Sequence, residues 1–152
     1  MSLQWTGLIH EKLAVIVSFA YSQKPLANMR HRFKGEWKFL EKIVNDIPRR
    51  AATQAVVDFA LYFRTLDDEQ RITDYWRQAE TPPTFGMLYM REGNNERLSA
   101  REMSNKIIHA ERIEWDLSGE PRIICIGRDN EAWARAEINL DSLLYLGAQL
   151  GS

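Results

Sequence analysis

The residues of this chain best suited to chemistry are Arg101, Asn105 and His109, spaced i, i+4, i+8. On a helix that advances about 100° per residue they span about 80° and form one polar ridge. An imidazole moves a proton near neutral pH, a guanidinium holds a phosphate, and an amide can orient either. Together they suit acid–base cleavage of RNA without a metal. A plainer reading stands beside that one and is favoured. Asn105 and His109 hydrogen-bond an adjoining hairpin or loop and Arg101 lies in solvent, because buried amides and imidazoles nearly always find partners.

The string Ser104-Asn105-Lys106-Ile107-Ile108-His109 resembles the Arg-Asn-x-x-x-His motif of HEPN-type helical proteins, many of which are RNases or nucleotide-binding toxin and antitoxin components. The Asn and His spacing matches. Ser104 stands at the motif's Arg position, and Arg101 lies one turn earlier. The resemblance covers one helix. It implies a helical bundle and metal-independent RNA cleavage or nucleotide binding through Arg101, Asn105 and His109. The string from Asn105 to Ala110 is also similar to one in uncharacterised bacterial protein families, a likeness that implies no activity.

The ridge needs a helix to carry it, and the start of that helix is well marked. Ser99 is an N-cap, Glu102 at N3 completes a capping box, and Leu98 can staple to Met103. Met103, Ile107 and Ala110 then face a core. Three strands are expected next, over 112–117, 122–127 and 131–139, joined by Ser118-Gly119-Glu120-Pro121 and Asp129-Asn130. A two-residue turn at Asp129-Asn130 pairs Ile126 with Trp133 and Ile124 with Arg135. A two-residue turn at Gly119-Glu120 sets Trp115 against Ile124. One face then collects Ile113, Trp115, Leu117, Ile124, Ile126 and Trp133 as the core face. Ile123, Cys125, Ala134 and Ala136 are left for a covering element or a partner. A one-residue change in the first turn would swap the strand-one residues that share that face. Asp141 caps a last helix over 141–149 bearing Leu143, Leu144 and Leu146.

Upstream, the pattern is helical. Ile9, Leu13, Ile16, Val17 and Ala20 predict a helix over 5–21, with a strand over 13–19 as the rival because β-branched residues cluster there. Lys24-Pro25 marks a break. A second helix over 26–47 puts Met29, Phe33, Trp37, Leu40, Val44 and Ile47 on one face and Arg30, Arg32, Lys34, Lys38 and Lys42 on the other. Asp46 is the expected N-cap of a third helix, with Pro48 in its first turn, running to about residue 64. Ala52, Ala55, Val56, Phe59, Ala60 and Phe63 make it the central helix. Residues 66–69 open a fourth, with Ile72, Tyr75, Trp76 and Ala79 as its stripe, and Thr81-Pro82-Pro83-Thr84 stops it. Residues 85–90 read as a short strand or an irregular segment, followed by a turn at Glu92-Gly93-Asn94-Asn95.

Charge is unevenly distributed. Residues 24–50 hold eight cations and three anions, a net of +5, and residues 66–80 hold two and five, a net of −3. Arg30, Arg32, Lys34 and Lys38 can track a phosphate backbone. The acidic segment can equally neutralise the basic one within the fold or in a dimer. A charged helix face is most often only solvated, so nucleic acid is not favoured as a partner.

Composition narrows the rest. At 152 residues, 45% hydrophobic and 27% charged, the chain suits one globular domain over 1–152. A net charge of −1 supplies no overall field for nucleic acid or an anionic membrane, and no membrane partner is expected. The apolar run 13–21 is too short to span a bilayer and lacks the flanks of a signal peptide. One cysteine, Cys125, excludes an internal disulfide and suits a reducing cytoplasm. Three scattered histidines make no zinc pattern, and neither a Walker A string nor G-x-G-x-x-G occurs, so no metal and no cofactor are expected.

These readings combine into an α+β fold. A bundle of four or five helices occupies about 5–110, a three-stranded antiparallel meander about 112–139, and a short helix about 141–149. The expected role is a non-catalytic interaction or regulatory protein of the cytoplasm, able to dimerise through its spare sheet face and with its partner unidentified. A HEPN-like RNase or nucleotide-binding protein is the alternative.

Overall fold

Ile9, Leu13, Ile16 and Ala20 are buried along helix α1 (Ser2–Ala27) of the computed structural model, which describes residues 2–151. Periodicity outweighs the β-branched cluster, and the rival strand is not formed. Residues 1 and 152, the ends of the expected domain, lie outside the described residues. Lys24-Pro25 does not break the helix. Pro25 sits in the last turn, where its missing N–H removes one bond, and α1 ends two residues later.

The single helix expected over 26–47 is instead three pieces. A 3-10 turn (Arg30–Arg32) is followed by α2 (Trp37–Glu41) and a π-helical turn (Lys42–Asp46), which runs directly into α3 (Ile47–Gln70). Phe33 leaves helical geometry at φ −130°, ψ 55°, so the apolar spacing from 29 to 37 is not one helical face. Asp46 is itself helical (φ −63°, ψ −49°) and its side chain caps nothing. Pro48 accounts for the π-turn. In an α-helix the N–H of residue 48 would bond the Val44 carbonyl, and proline has none. The Ile47 N–H reaches back to Lys42, and the Gln23 side-chain amide from α1 donates to the Val44 carbonyl at 3.2 Å.

Helix α3 continues past residue 64 because Leu66 keeps the buried register of Phe59 and Phe63. Leu66-Asp67-Asp68-Glu69 therefore closes a helix rather than opening one. Arg71 turns the chain in left-handed geometry (φ 51°, ψ 45°), and α4 (Ile72–Arg77) follows. Ile72 and Trp76 pack on the core. Tyr75, expected beside them, lies about 80° off the face they share and is 75% exposed.

The sheet has five antiparallel strands in the order β2-β1-β5-β4-β3, not three. These are β1 (Gly86–Met90), β2 (Asn95–Arg97), β3 (Arg112–Asp116), β4 (Arg122–Ile126) and β5 (Trp133–Asn139). The ambiguous segment is thus a strand. It pairs with β5 beyond α5 (Ala100–His109), which connects the β1–β2 hairpin to the meander. Gly86 makes that pairing possible. Its φ is +143°, and a Cβ there would lie 1.8 Å from the Glu137 carbonyl oxygen. Helix α6 (Leu140–Gly151) grows straight out of β5 and buries Leu143 and Leu146; Leu144 is exposed.

Register corrects the expected core face. The first turn spans residues 117–121, so Trp115 opposes Ile123 and Ile113 opposes Cys125, one residue from the expected pairing. In the second hairpin Ile126 opposes Arg135 and Ile123 opposes Ile138. Ile123, Cys125, Ala136 and Ile138 are buried in the same cluster as Ile16, Phe59, Phe63 and Met103. Ile124 and Ile126 share the open face with Arg135 and Glu137. Trp133 is buried as expected, but by a different route. β5 carries one extra residue between its pairs with Tyr89 and Met90, and the bulge turns the indole to the covered side. The face of small residues is therefore core, and it is not spare for a homodimer. Trp115 ties it down: its indole N–H donates to Thr53 Oγ1 at 3.0 Å, and its ring meets Phe19 edge-on at 5.0 Å.

Candidate functional site

Helix α5 starts at its predicted cap. Ser99 Oγ accepts the Glu102 N–H at 3.2 Å and donates to the Glu102 carboxylate at 3.1 Å, and Leu98 and Met103 are both buried. Met103, Ser104 and Ile107 anchor the helix inward. That orientation sets the ridge along α3.

The first ridge residue is held by acids. Arg101 Nη1 lies 2.5 Å from Asp68 Oδ1 and 3.3 Å from Asp67 Oδ2. The Asp68 hydrogen bond, opposed by burial and aided by Asp67, raises the guanidinium above its ordinary pKa. Asp67 is buried and also accepts the Thr73 N–H at 2.7 Å, so one carboxylate joins α3, α4 and α5. Asn105 is held next: its Oδ1 accepts from Arg64 Nη1 of α3 at 2.7 Å. His109 is exposed at the end of α5, with no hydrogen bond or ion pair among the described residues.

Arg101 opens onto a polar cleft of about 360 Å³ lined also by Asp67, Asp68, Arg71, Thr73, Asp74 and Arg77. Asn105 and His109 do not line it. Three arginines meet three aspartates there, and Arg77 pairs with Asp74 at 3.3 Å. Thr73 Oγ1 is buried without a partner among the described residues. The cleft lining holds no imidazole to shuttle a proton.

The basic segment lies elsewhere. Arg30 and Arg32 are on the 3-10 turn, Lys34 on the loop after it and Lys38 on α2, all exposed. None of them forms an ion pair among the described residues, nor does Lys42. Among the described residues no ion pair joins the acidic segment 66–80 to them, and Asp67, Asp68 and Asp74 are engaged by Arg101 and Arg77 instead. The helical rise puts about 25 Å of α3 between Arg64, where Asn105 is held, and Ile47, next to the basic segment. Ridge and basic face are separate features.

The structure adds residues that the sequence reading passed over. Phe39 is 69% exposed and Ile43 61%, beside Lys38 and Lys42; Ile47, expected on the apolar face with Trp37, Leu40 and Val44, is 45% exposed and continues their row. Trp37 is buried and Leu40 and Val44 are half-buried, so these form the true inner stripe. The available signal was the i, i+4 pair Phe39 and Ile43 standing off that stripe. Elsewhere, burial pushes the Cys125 thiol up to about 12. Among the described residues no group of three or more His, Cys, Asp or Glu is placed to hold a metal ion.

No family model, no curated protein and no solved structure matches the chain.

Proposed function

We propose that the chain is a non-catalytic interaction protein of the cytoplasm that works through the exposed face at residues 30–50. The observation that carries this reading is the commitment of the ridge to the fold. Arg101 and Asn105 are spent on Asp67, Asp68 and Arg64, and the cations that would hold a phosphate backbone lie at the far end of α3. A positioned acid–base pair needs its members within hydrogen-bond reach of one substrate, and His109 has no hydrogen-bond or ion-pair partner among the described residues and does not line the cleft onto which Arg101 opens. The exposure of His109 is what favours the second reading, a HEPN-like RNase or nucleotide-binding protein.

End-labelled RNA incubated without metal at low salt, with wild type and with His109→Ala, tests the two. Intact RNA with both proteins is the expected result. Cleavage by wild type that disappears in a folded His109→Ala variant would overturn the interaction reading.

A further inference from the structure

We infer that the face formed by the 3-10 turn, α2 and the π-turn docks on the surface of an anionic phospholipid bilayer. The inference rests on the interaction reading above and names the partner.

Two properties coincide on this face. The first is apolar. Phe39, Ile43 and Ile47 protrude in one row about 12 Å long, the most exposed being Phe39 at 69%. Four residues of α-helix overshoot a turn by about 40°, and the wider π-turn takes that overshoot back, so the row stays straight. The second is charge. Arg30, Arg32, Lys34, Lys38 and Lys42 are exposed and form no ion pair among the described residues, and Lys38 Nζ sits 5.1 Å from the centre of the Phe39 ring. The anions of this stretch are Glu36 and Asp46, both exposed, and Glu41, which lines an inner crevice together with Arg30, Trp37 and Val44. The whole-chain charge of −1 conceals this local excess.

The occupant must accept protruding apolar side chains and anion-hungry cations together. A second copy across a two-fold axis would set cations against cations. A phosphate backbone would pair the cations and leave Ile43 and Ile47 in water. An anionic leaflet does both: headgroups meet the lysines and arginines while phenylalanine and isoleucines enter the acyl boundary. No helix among the described residues is long and apolar enough to cross a membrane, so this contact lies on the surface.

Flotation with two vesicle preparations tests the inference, one of phosphatidylcholine alone and one of phosphatidylcholine with phosphatidylglycerol in equal parts. Wild type is expected to float with the second only, and to be released by high salt. Phe39→Ser/Ile43→Ser and Lys38→Glu/Lys42→Glu should each weaken binding on the order of tenfold or more. Both pairs are exposed, and circular dichroism should show the variants folded. Absence of wild type from the phosphatidylglycerol vesicles, or flotation unchanged by both variants, overturns the lipid assignment. If an RNA or an acidic protein is instead retained through Lys38 and Lys42, the assignment to lipid falls and the interaction reading stands. The RNA cleavage assay tests that reading without vesicles.

Discussion

Arg64 on α3 and Asn105 on α5 are joined by a hydrogen bond of 2.7 Å across 41 positions of sequence. A charged donor, a neutral acceptor and partial burial predict a coupling of about 1 kcal/mol. A double-mutant cycle of Arg64→Met and Asn105→Ala, read by urea unfolding, should return that coupling. A value near zero would release Asn105 for another role.

Gly86 should tolerate no side chain. Its backbone angle is strained for any L-residue, and the atom in the way belongs to β5 backbone. Gly86→Ala should cost about 3 kcal/mol or more, because β1 must separate from β5 to relieve it. Gly93, also at positive φ but with open space around it, should cost less on the same change. Thermal unfolding of the two variants makes the comparison.

Asp116 brings pH into the stability of the sheet edge. Its carboxylate accepts the hydroxyl and the backbone N–H of Ser118 and pairs with Arg122, which holds its pKa at about 2 against an ordinary 3.8. A folded-state pKa below the unfolded one stabilises the fold above pH 3.8 and is lost as pH falls through 2. Wild type should therefore be more stable than Asp116→Asn at neutral pH, with the gap closing between about pH 4 and 2. Urea midpoints across that range measure it.

Cys125 should be inert while the chain is folded. Burial holds its thiol at about 12, and it lies among core residues of β4 and β5. The thiolate is the nucleophile, so reaction with an aromatic disulfide reagent at pH 8 should follow unfolding. Fast labelling in native buffer would contradict the placement of β4.

What was readable from sequence follows the range of the interaction involved. Helices α1, α3 and α5 announce themselves because their buried residues repeat every three or four positions, and Ser99 with Glu102 marks a start locally. The acids at 67–69 misled because acidic residues favour a helix start, whereas here Asp67 works across a helix junction to Thr73 and Arg101. Pro48 was read as a beginning because proline suits a first turn. It does lie in the first turn of α3, but no break precedes it: the π-turn runs straight into α3, and the Gln23 side chain of α1 takes up the Val44 carbonyl. β1 lacks an alternating polar face, and its partner β5 lies some forty-five residues away, beyond any local pattern. The ridge itself was visible as spacing. Its partners Arg64, Asp67 and Asp68 were not, because nothing in periodicity says which helix lies alongside. Phe39 and Ile43 were hidden because an apolar residue off the stripe looks like a widening of it.

The order β2-β1-β5-β4-β3 puts the last strand of the chain in the middle of the sheet. As the chain leaves a ribosome, both hairpins are complete before their shared partner exists. Until residues 133–139 emerge, β1 and β4 each present an open edge that another nascent chain could occupy. Assembly of the sheet is thus a closing event, completed by long-range pairing and slow relative to the local helices. A chain truncated before Trp133 would have two hairpins and no sheet to join them.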